Sequence, residues 1–367
     1  MSSKTAKDRS PNDADEAAVA APRITALAPW LAVQRDHVLS QQGHAWLLHG
    51  PSGLGQYAIA LSVAQAWLCE APNRQSGDAA CGQCASCHLI ERGAHPDLAV
   101  LMPETLMLEL GWPLGEKAQN DIDDKKRKPS REIRVEAMRE VVEFAQLTSG
   151  RARGQAVLVY PAERMNPITA NALLKTLEEP SGATRFILAT EAAHALLPTI
   201  RSRCQSVALQ WPSEEQALTY LESIVGSADA SAHTAAYTTA QLRNALMASG
   251  GRPLDAAALL QSGASAAWAQ WPRAMANGHV GAVADWSPYD LLESLQKLCH
   301  DLWAVKTGAV PRYFAATDLP RPPPARALAA WSEQLKTLRR SIEHPYKAEL
   351  LIEDLVSQAR IALHSRQ

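Results

Sequence analysis

The sequence lacks the features that mark a membrane protein, a stand-alone nucleic-acid binder or a disulfide scaffold. It contains no apolar run close to the roughly 18–20 residues that a membrane-spanning helix needs. Its 36 Lys and Arg are offset by 38 Asp and Glu, and the formal net charge of -2 provides no general attraction to DNA. Six cysteines are too few, and too clustered, to form a disulfide framework in a chain of 367 residues. We therefore expect a globular protein with no membrane association.

The amino terminus also has little apolar character. Residues 1–22 are MSSKTAKDRSPNDADEAAVAAP, which contains no hydrophobic core of a secretory signal and predicts a disordered tail. We therefore expect the protein in the cytoplasm. With 47% hydrophobic residues over 367 positions, the chain is long enough to form two or three domains.

A glycine-rich turn follows the first predicted strand. Residues 46–61, WLLHGPSGLGQYAIAL, predict a strand, a turn and a helix, the setting of a phosphate-binding P-loop of the form G-x-x-x-x-G-K-[ST]. The lysine and the Ser or Thr are missing, because the last two positions are glutamine and tyrosine. The turn is therefore present without the charge that contacts phosphate and without the magnesium ligand. Its positions are Gly50, Pro51, Ser52, Gly53, Leu54, Gly55, Gln56 and Tyr57.

Four cysteines lie close together in the sequence, with the spacing C-x11-C-x2-C-x2-C. They are Cys69, Cys81, Cys84 and Cys87. Two residues between thiolates place the sulfurs about 3.5–4 Å apart, as a tetrahedral zinc site with bonds of about 2.3 Å requires. Four sulfur ligands leave no open position, so we predict one structural zinc in an insertion over residues 69–87. Unliganded cysteines are an alternative, as is an iron–sulfur cluster, although the Cys-Pro of a ferredoxin run is absent.

A second candidate strand continues the degenerate pattern. Residues 156–160, AVLVY, predict a central parallel strand that is buried on both faces. In a P-loop ATPase such a strand ends in carboxylates that hold magnesium and polarise the attacking water. Those positions here are Tyr160 and Pro161, which do neither. The segment 110–131, rich in Gly, Pro and charge, predicts an exposed loop; DNA contact by its basic run 125–128 is the less favoured alternative.

The block NALLKTLEEPSGATRFILATEAAHALLPTIRSRC, residues 171–204, carries a family resemblance. Its helix, its strand ending in threonine and its Ser202-Arg203-Cys204 motif resemble the clamp-loader branch of the AAA+ ATPases, over roughly residues 25–365. The four-cysteine insertion resembles that of bacterial clamp-loader subunits. The implied fold is an α/β AAA+ core, a P-loop-type parallel sheet with helices on both faces, then a small helical lid and an all-α collar. The implied ranges are 23–211 for the core, 212–262 for the lid and 263–367 for the collar.

The resemblance also implies roles for single residues. Arg203 would project toward the γ-phosphate of ATP on a neighbouring subunit as an arginine finger in trans, with no catalytic residue acting in cis. The sensor positions fall to Thr190 and Leu254, and Arg252 lies two residues before the latter. With the lysine, the magnesium ligands and the sensor arginine missing together, we expect no functional ATP binding.

The function implied by the resemblance is that of a non-hydrolysing, stator-like subunit of the complex that loads a sliding clamp onto primed DNA. Its partners in this hetero-oligomer would be gamma/tau-like ATP-binding subunits, a delta-like clamp-opening subunit, primer-template DNA and, indirectly, the sliding clamp. An autonomous AAA+ ATPase is an alternative, which requires nucleotide affinity without the P-loop lysine. A zinc-dependent DNA-binding regulator is another, which requires stable DNA binding by the isolated chain.

Overall fold

The computed structural model describes residues 27–75, 77–227, 237–261, 265–283, 286–341 and 347–365. The chain divides into two compact units between Leu209 and Gln210. The predicted disordered tail, residues 1–22, lies outside the described residues. Within the described ranges, no helix combines the length and the apolarity that crossing a bilayer would require.

A five-stranded, all-parallel sheet forms the centre of the first unit, in the order β2-β3-β4-β1-β5. Its inner strands are almost entirely apolar because parallel sheets are covered on both faces. The carboxyl ends of β1, β3 and β4 meet at one edge, which brings the P-loop-like turn, Tyr160 and Thr190 together. The strands are β1 Ala45–His49, β2 Leu98–Leu101, β3 Gln155–Val159, β4 Thr184–Thr190 and β5 Gln205–Ala208.

Helices pack on both faces of this sheet, as predicted. Trp46 and Leu48 belong to an apolar cluster with the second helix, whereas Leu47, between them, belongs to the cluster on the opposite face, because side chains alternate along a strand. The helices of this unit are α1 Pro29–Ser40, α2 Gln56–Leu68, α3 Ala85–Glu91, α4 Glu104–Glu109, α5 Glu116–Asp123, α6 Val135–Phe144, α7 Pro167–Glu178 and α8 Pro198–Arg201.

The interpretation of residues 110–131 as an exposed loop was wrong in two respects. Glu116–Asp123 is helix α5, and Trp112 is buried in the same apolar cluster as α2. Burial of a large indole outweighs the turn signals of the flanking Gly and Pro residues. The basic run does neutralise itself locally: Arg127 bonds to Glu104 through Nη1 at 2.5 Å and Nη2 at 2.8 Å, and Lys126 contacts Asp124 at 2.8 Å.

The described part of the second unit contains helices and no strand. Ser213 caps its first helix, as predicted, by accepting a hydrogen bond from the Gln216 amide at 3.2 Å. One apolar cluster lies within residues 217–260 and another within 271–363, but the predicted lid and collar limits stay predictions. The helices are α9 Glu214–Ser227, α10 Thr239–Ala248, α11 Pro253–Gln261, α12 Ser265–Trp268, α13 Trp271–Ala276, α14 Pro288–Thr307, α15 Ala325–Ser341 and α16 Ala348–His364.

A buried carboxylate, Asp301, organises the chain that follows α14. It accepts backbone hydrogen bonds from Arg312 at 2.9 Å, Tyr313 at 2.7 Å and Phe314 at 2.9 Å. Asp301→Ala leaves these donors without an acceptor, and we expect it to lower the free energy of unfolding by about 3 kcal/mol or more. Denaturant unfolding measures this, with the exposed Asp354→Ala as control; equal stability of the two variants would refute the role.

Candidate functional site

The turn between β1 and α2 contains two glycines in the left-handed conformation. Gly53 and Gly55 have φ angles of 85° and 86°, in the left-handed region that glycine adopts without strain. Gly50 donates its N–H to the Thr190 carbonyl at 3.4 Å and packs so closely against Leu54 that a Cβ atom would lie 2.8 Å from Leu54 Cδ1. The glycines therefore have a structural reason for being there whether or not a nucleotide binds.

The side chain at the position of the P-loop lysine is turned into the loop. Gln56 is 1% exposed, and its Nε2 donates to the carbonyls of Gly50 at 2.9 Å and Pro51 at 2.6 Å. These bonds fix the turn without introducing charge. An amide cannot neutralise a β- or γ-phosphate, so this position supports the loop and supplies no cation to a nucleotide.

Two tyrosines lie side by side at positions that the sequence pattern assigned to magnesium ligands in a P-loop ATPase. The rings of Tyr57 and Tyr160 stack with centroids 5.6 Å apart. Tyr57 Oη accepts a hydrogen bond from Trp112 Nε1 at 2.6 Å, and Tyr160 Oη donates to Glu191 Oε1 at 3.2 Å. Burial raises the pKa of Tyr57 to about 12, and burial together with the charge of Glu191 raises the pKa of Tyr160. Both phenols are therefore neutral at pH 7 and are poor ligands for a cation.

The two predicted sensor positions, Thr190 and Leu254, lie in different units. Thr190 is buried at the end of β4, and its Oγ1 donates to Glu163 Oε2 at 2.7 Å, while the Glu191 amide donates to the other oxygen of Glu163 at 3.1 Å. Leu254 lies in α11, and nearby Arg252 contacts Asp255 at 2.7 Å and Glu293 at 3.3 Å within the second unit.

The structure brings the four predicted metal ligands together. The sulfurs of Cys69, Cys81, Cys84 and Cys87 lie within 4.8 Å of one another, with separations of 3.9 Å, 4.0 Å and 3.5 Å for 69–84, 81–87 and 84–87. A tetrahedral ion with bonds of about 2.3 Å needs sulfurs about 3.8 Å apart, so the donor set fits a metal ion. Backbone N–H groups of Gln83 and Cys84 lower the pKa of Cys81 to about 6, whereas burial raises the pKa of Cys87.

Polar contacts tie this cysteine cluster to the core. Ser86 Oγ donates to the Leu68 carbonyl at 2.6 Å and contacts His95 Nε2 at 2.8 Å. The Asp97 amide donates to His95 Nδ1 at 3.0 Å, so Nε2 carries the proton and donates to Ser86. Burial lowers the pKa of His95, which keeps the ring neutral. This serine–histidine pair is therefore structural, because the histidine cannot accept the serine proton.

A second set of contacts anchors the residue next to Cys69. Arg151 forms two hydrogen bonds with the Glu70 carboxylate, at 2.6 Å and 2.8 Å, and these bonds lower the pKa of Glu70. Buried Asp97 accepts from the amides of Gly150 at 2.7 Å and Arg151 at 2.9 Å. The segment before β3 thus holds the start of the cysteine insertion in place.

Arg203 follows α8 in a turn, where its side chain is 31% exposed. Its guanidinium forms an ion pair with Glu178 at the end of α7, and its Nη1 donates to the Thr199 carbonyl at 2.9 Å. Its neighbour Cys204 is half-buried, and burial raises the pKa of that thiol to about 12. The structure therefore places the predicted finger at the surface, with an acidic partner from its own chain.

Comparison with known proteins then identifies the family of this segment. The family described as "DNA polymerase III, delta subunit" matches residues 32–213. This range includes the turn 50–57 with the Tyr57–Tyr160 stack beside it, which we call the cradle, as well as the cysteine cluster and the Ser-Arg-Cys motif. The protein named DNA polymerase III subunit delta' of Pseudomonas aeruginosa is 37% identical over 217 residues. Residues 32–213 belong to the DNA polymerase III delta-prime family.

The delta-prime similarity extends to several bacteria. The Haemophilus influenzae protein of that name is 34% identical over 246 residues, and the Escherichia coli protein is 34% identical over 239 residues. The P. aeruginosa match covers 59% of this chain and 56% of the relative. The H. influenzae match covers 65% and 63%, and the E. coli match covers 64% and 60%. A solved gamma-subunit-related protein of Thermotoga maritima aligns with 91% of this chain and 100% of its own, at 16% identity. Its TM-score of 0.45 supports no conclusion.

Within the delta-prime segment, reasoning from sequence missed several residues. Trp112 was assigned to an exposed loop, although it bonds to Tyr57, 55 positions earlier. Glu178 was not singled out, and nothing in its local pattern marks it as the partner of Arg203. Ser86 and His95 likewise carry no signal, because their contact depends on how the insertion folds back.

Proposed function

We propose that this protein is a non-hydrolysing subunit of the DNA polymerase III clamp loader, which places a sliding clamp on primed DNA. One observation carries the proposal: the nucleotide cradle is filled by the chain's own side chains. Gln56 satisfies the loop carbonyls, and the Tyr57–Tyr160 stack occupies the magnesium edge. In this proposal the AAA+ architecture positions the subunit within the clamp loader and supports assembly of the complex. Other subunits hydrolyse ATP.

The role we assign to Arg203 is that of an arginine finger in trans. Its planar, permanently charged guanidinium is suited to stabilise charge on a transferring phosphoryl group. To act on a neighbour, the side chain exchanges Glu178 for the γ-phosphate of the ATP held by the adjacent subunit. Glu178 is 46% exposed, so water screens the ion pair and breaking it costs little free energy.

The remaining parts of the proposal concern cofactor, partners and location. The cysteine cluster would hold one structural zinc that fixes the insertion and performs no catalysis. The partners are gamma/tau-like ATP-binding subunits, a delta-like subunit, primer-template DNA within the complex and, indirectly, the sliding clamp. The helices of the second unit serve as lid and collar, the collar joining the subunits in a cytoplasmic hetero-oligomer.

The isolated protein is expected to bind ATP weakly or not at all and to hydrolyse none. Millimolar MgATP should therefore leave its melting temperature unchanged, whereas a micromolar site would add about 4 kcal/mol of stability at that concentration. The measurement is a thermal unfolding series with and without MgATP. A gamma- or tau-type ATP-binding subunit serves as the positive control.

Two variants sharpen this test. Gln56→Lys restores the phosphate-binding charge but leaves Tyr57 and Tyr160 in place, so we expect it to bind no nucleotide. Arg139→Lys changes an exposed residue of α6 and is the control for effects of substitution that do not concern the turn. Magnesium-dependent turnover by the purified wild-type chain would overturn the proposal in favour of an autonomous ATPase.

A further inference from the structure

A basic cleft lies at the edge of the sheet opposite the cradle. Gly43 precedes β1, Arg153 precedes β3 and Arg185 is the second residue of β4, so all three lie at the amino ends of parallel strands. The cradle lies at the carboxyl ends, about 16 Å away for strands of five residues. The cleft has a volume of about 430 Å³. We call it the arginine cleft, lined by Arg74, Arg153, Arg185, Trp67, Gln42 and Gln75.

Three arginines line this cleft without carboxylate partners. Across the described ranges, none of Arg74, Arg153 and Arg185 forms an ion pair with an acidic side chain. Arg74 donates instead to the carbonyls of Asp78 and Ala79. The cleft therefore holds a concentration of positive charge in a chain whose overall charge is close to zero.

The carboxylates of Glu70 and Asp78 have partners outside the cleft arginines. Glu70 is held by Arg151 through two hydrogen bonds, and Asp78 accepts from the Gln75 amide at 2.7 Å. Glu70 feels the charge of Arg153, but the two do not form a contact. Neither carboxylate forms an ion pair with Arg74, Arg153 or Arg185.

Arg185 is the central group of the cleft. It is half-buried, and its guanidinium carbon lies 5.7 Å from the centre of the Trp67 ring. Trp67 in turn packs against Trp46, with ring centroids 5.0 Å apart. Burial and the like charge of Arg74 lower the pKa of Arg185. Both effects disfavour the charged form in the free protein, and the opposite charge of an anion in the cleft would offset them.

We propose that the arginine cleft is a binding site for a phosphate group. Guanidinium forks bind phosphate oxygens in pairs, and several of them match a group that carries more than one negative charge. The side-chain amides of Gln42 and Gln75 add neutral donors, and the Trp67 indole packs against the Arg185 guanidinium. A phosphate group offers more acceptor oxygens and more negative charge than a single carboxylate, so it matches three arginines better. The site is separate from the cradle and does not depend on the proposed function.

The phosphate can come from a nucleic-acid backbone or from a free anion, and one titration separates these sources. The full-length protein is titrated at low salt with inorganic pyrophosphate and, separately, with a fluorescent single-stranded oligothymidylate. We expect saturable binding of at least one probe, with affinity reduced about 10-fold or more in Arg185→Gln. If the backbone is the ligand, the oligonucleotide binds, and the salt dependence of its log affinity is shallower by about 0.7 in the variant. If a free anion is the ligand, pyrophosphate binds and competes with the oligonucleotide.

Two further variants keep the test decisive. Arg153→Gln removes a cleft charge from an exposed position where folding is not at risk, and it should also weaken binding. Arg139→Gln removes the same charge from the exposed surface of α6 in the same unit and should have no effect. The proposal is overturned if neither probe binds, if both cleft variants bind as the wild type does, or if Arg139→Gln weakens binding equally.

Discussion

Replacing Arg203 with alanine is expected to reduce DNA-stimulated ATP hydrolysis and clamp loading by the reconstituted complex, with folding, metal content and assembly unchanged. An arginine that reaches a transferring phosphoryl group in trans contributes on the order of 10³–10⁵ in rate at its own site. Total turnover would fall much less, because other active sites in the complex keep their own groups. Single-turnover hydrolysis therefore measures the effect better than the steady state.

Three companion variants test whether geometry or mere charge is responsible. Arg203→Lys should rescue poorly, because a point charge lacks the guanidinium fork. Arg201→Ala removes an exposed arginine two positions away and should leave the rates intact. Wild-type loading by the assembled Arg203→Ala complex, or an equal defect from Arg201→Ala, would contradict the assignment.

The ion pair with Glu178 adds a prediction specific to this chain. Glu178→Gln releases Arg203 from its partner in the same chain, and we expect the complex to retain or raise its rate of hydrolysis. If this variant reproduced the Arg203→Ala defect, the functional feature would be the ion pair itself, and Arg203 would act by holding α7 and α8 together. Hydrolysis by the two assembled variants, compared side by side, separates these outcomes.

Loss of the metal is the other large effect we expect. Cys84→Ser should reduce the metal content from one zinc per chain to nearly none, because a hydroxyl does not replace a thiolate in a four-sulfur site. Structural zinc sites contribute apparent binding energies of about 10–16 kcal/mol in small domains, so the insertion 69–87 should lose its fixed conformation. The parallel sheet should persist, because its apolar clusters do not depend on the insertion. Elemental analysis and limited proteolysis measure the two parts.

The control for this experiment is Cys204→Ser. Cys204 is half-buried and lies outside the cluster, so its replacement should leave the zinc content unchanged. Iron in the purified protein would show that the metal is misassigned. Absence of any metal in protein prepared without chelator would show that the four thiols serve only as packing groups.

The sequence by itself determined the features that depend on local pattern. Continuous apolar runs predicted the inner strands β1, β3 and β4, and the glycines of the turn predicted its backbone. The C-x2-C-x2-C spacing predicted three sulfurs on one short stretch, with Cys69 supplied by the end of the preceding helix. Such features can be predicted from the sequence because the chain itself holds residues a few positions apart near one another.

Only the tertiary structure decided what fills the cradle and what surrounds the charged groups. Trp112 meets Tyr57 across 55 positions, and Glu178 meets Arg203 across 25. The arginine cleft draws on the segment before β1, the end of α2, the cysteine insertion, the turn before β3 and the start of β4. These contacts leave no periodic trace in the sequence, because they are set by the packing of strands and insertions against one another. Burial of an aromatic ring is a property of that packing, which is why Trp112 was assigned from sequence to an exposed loop.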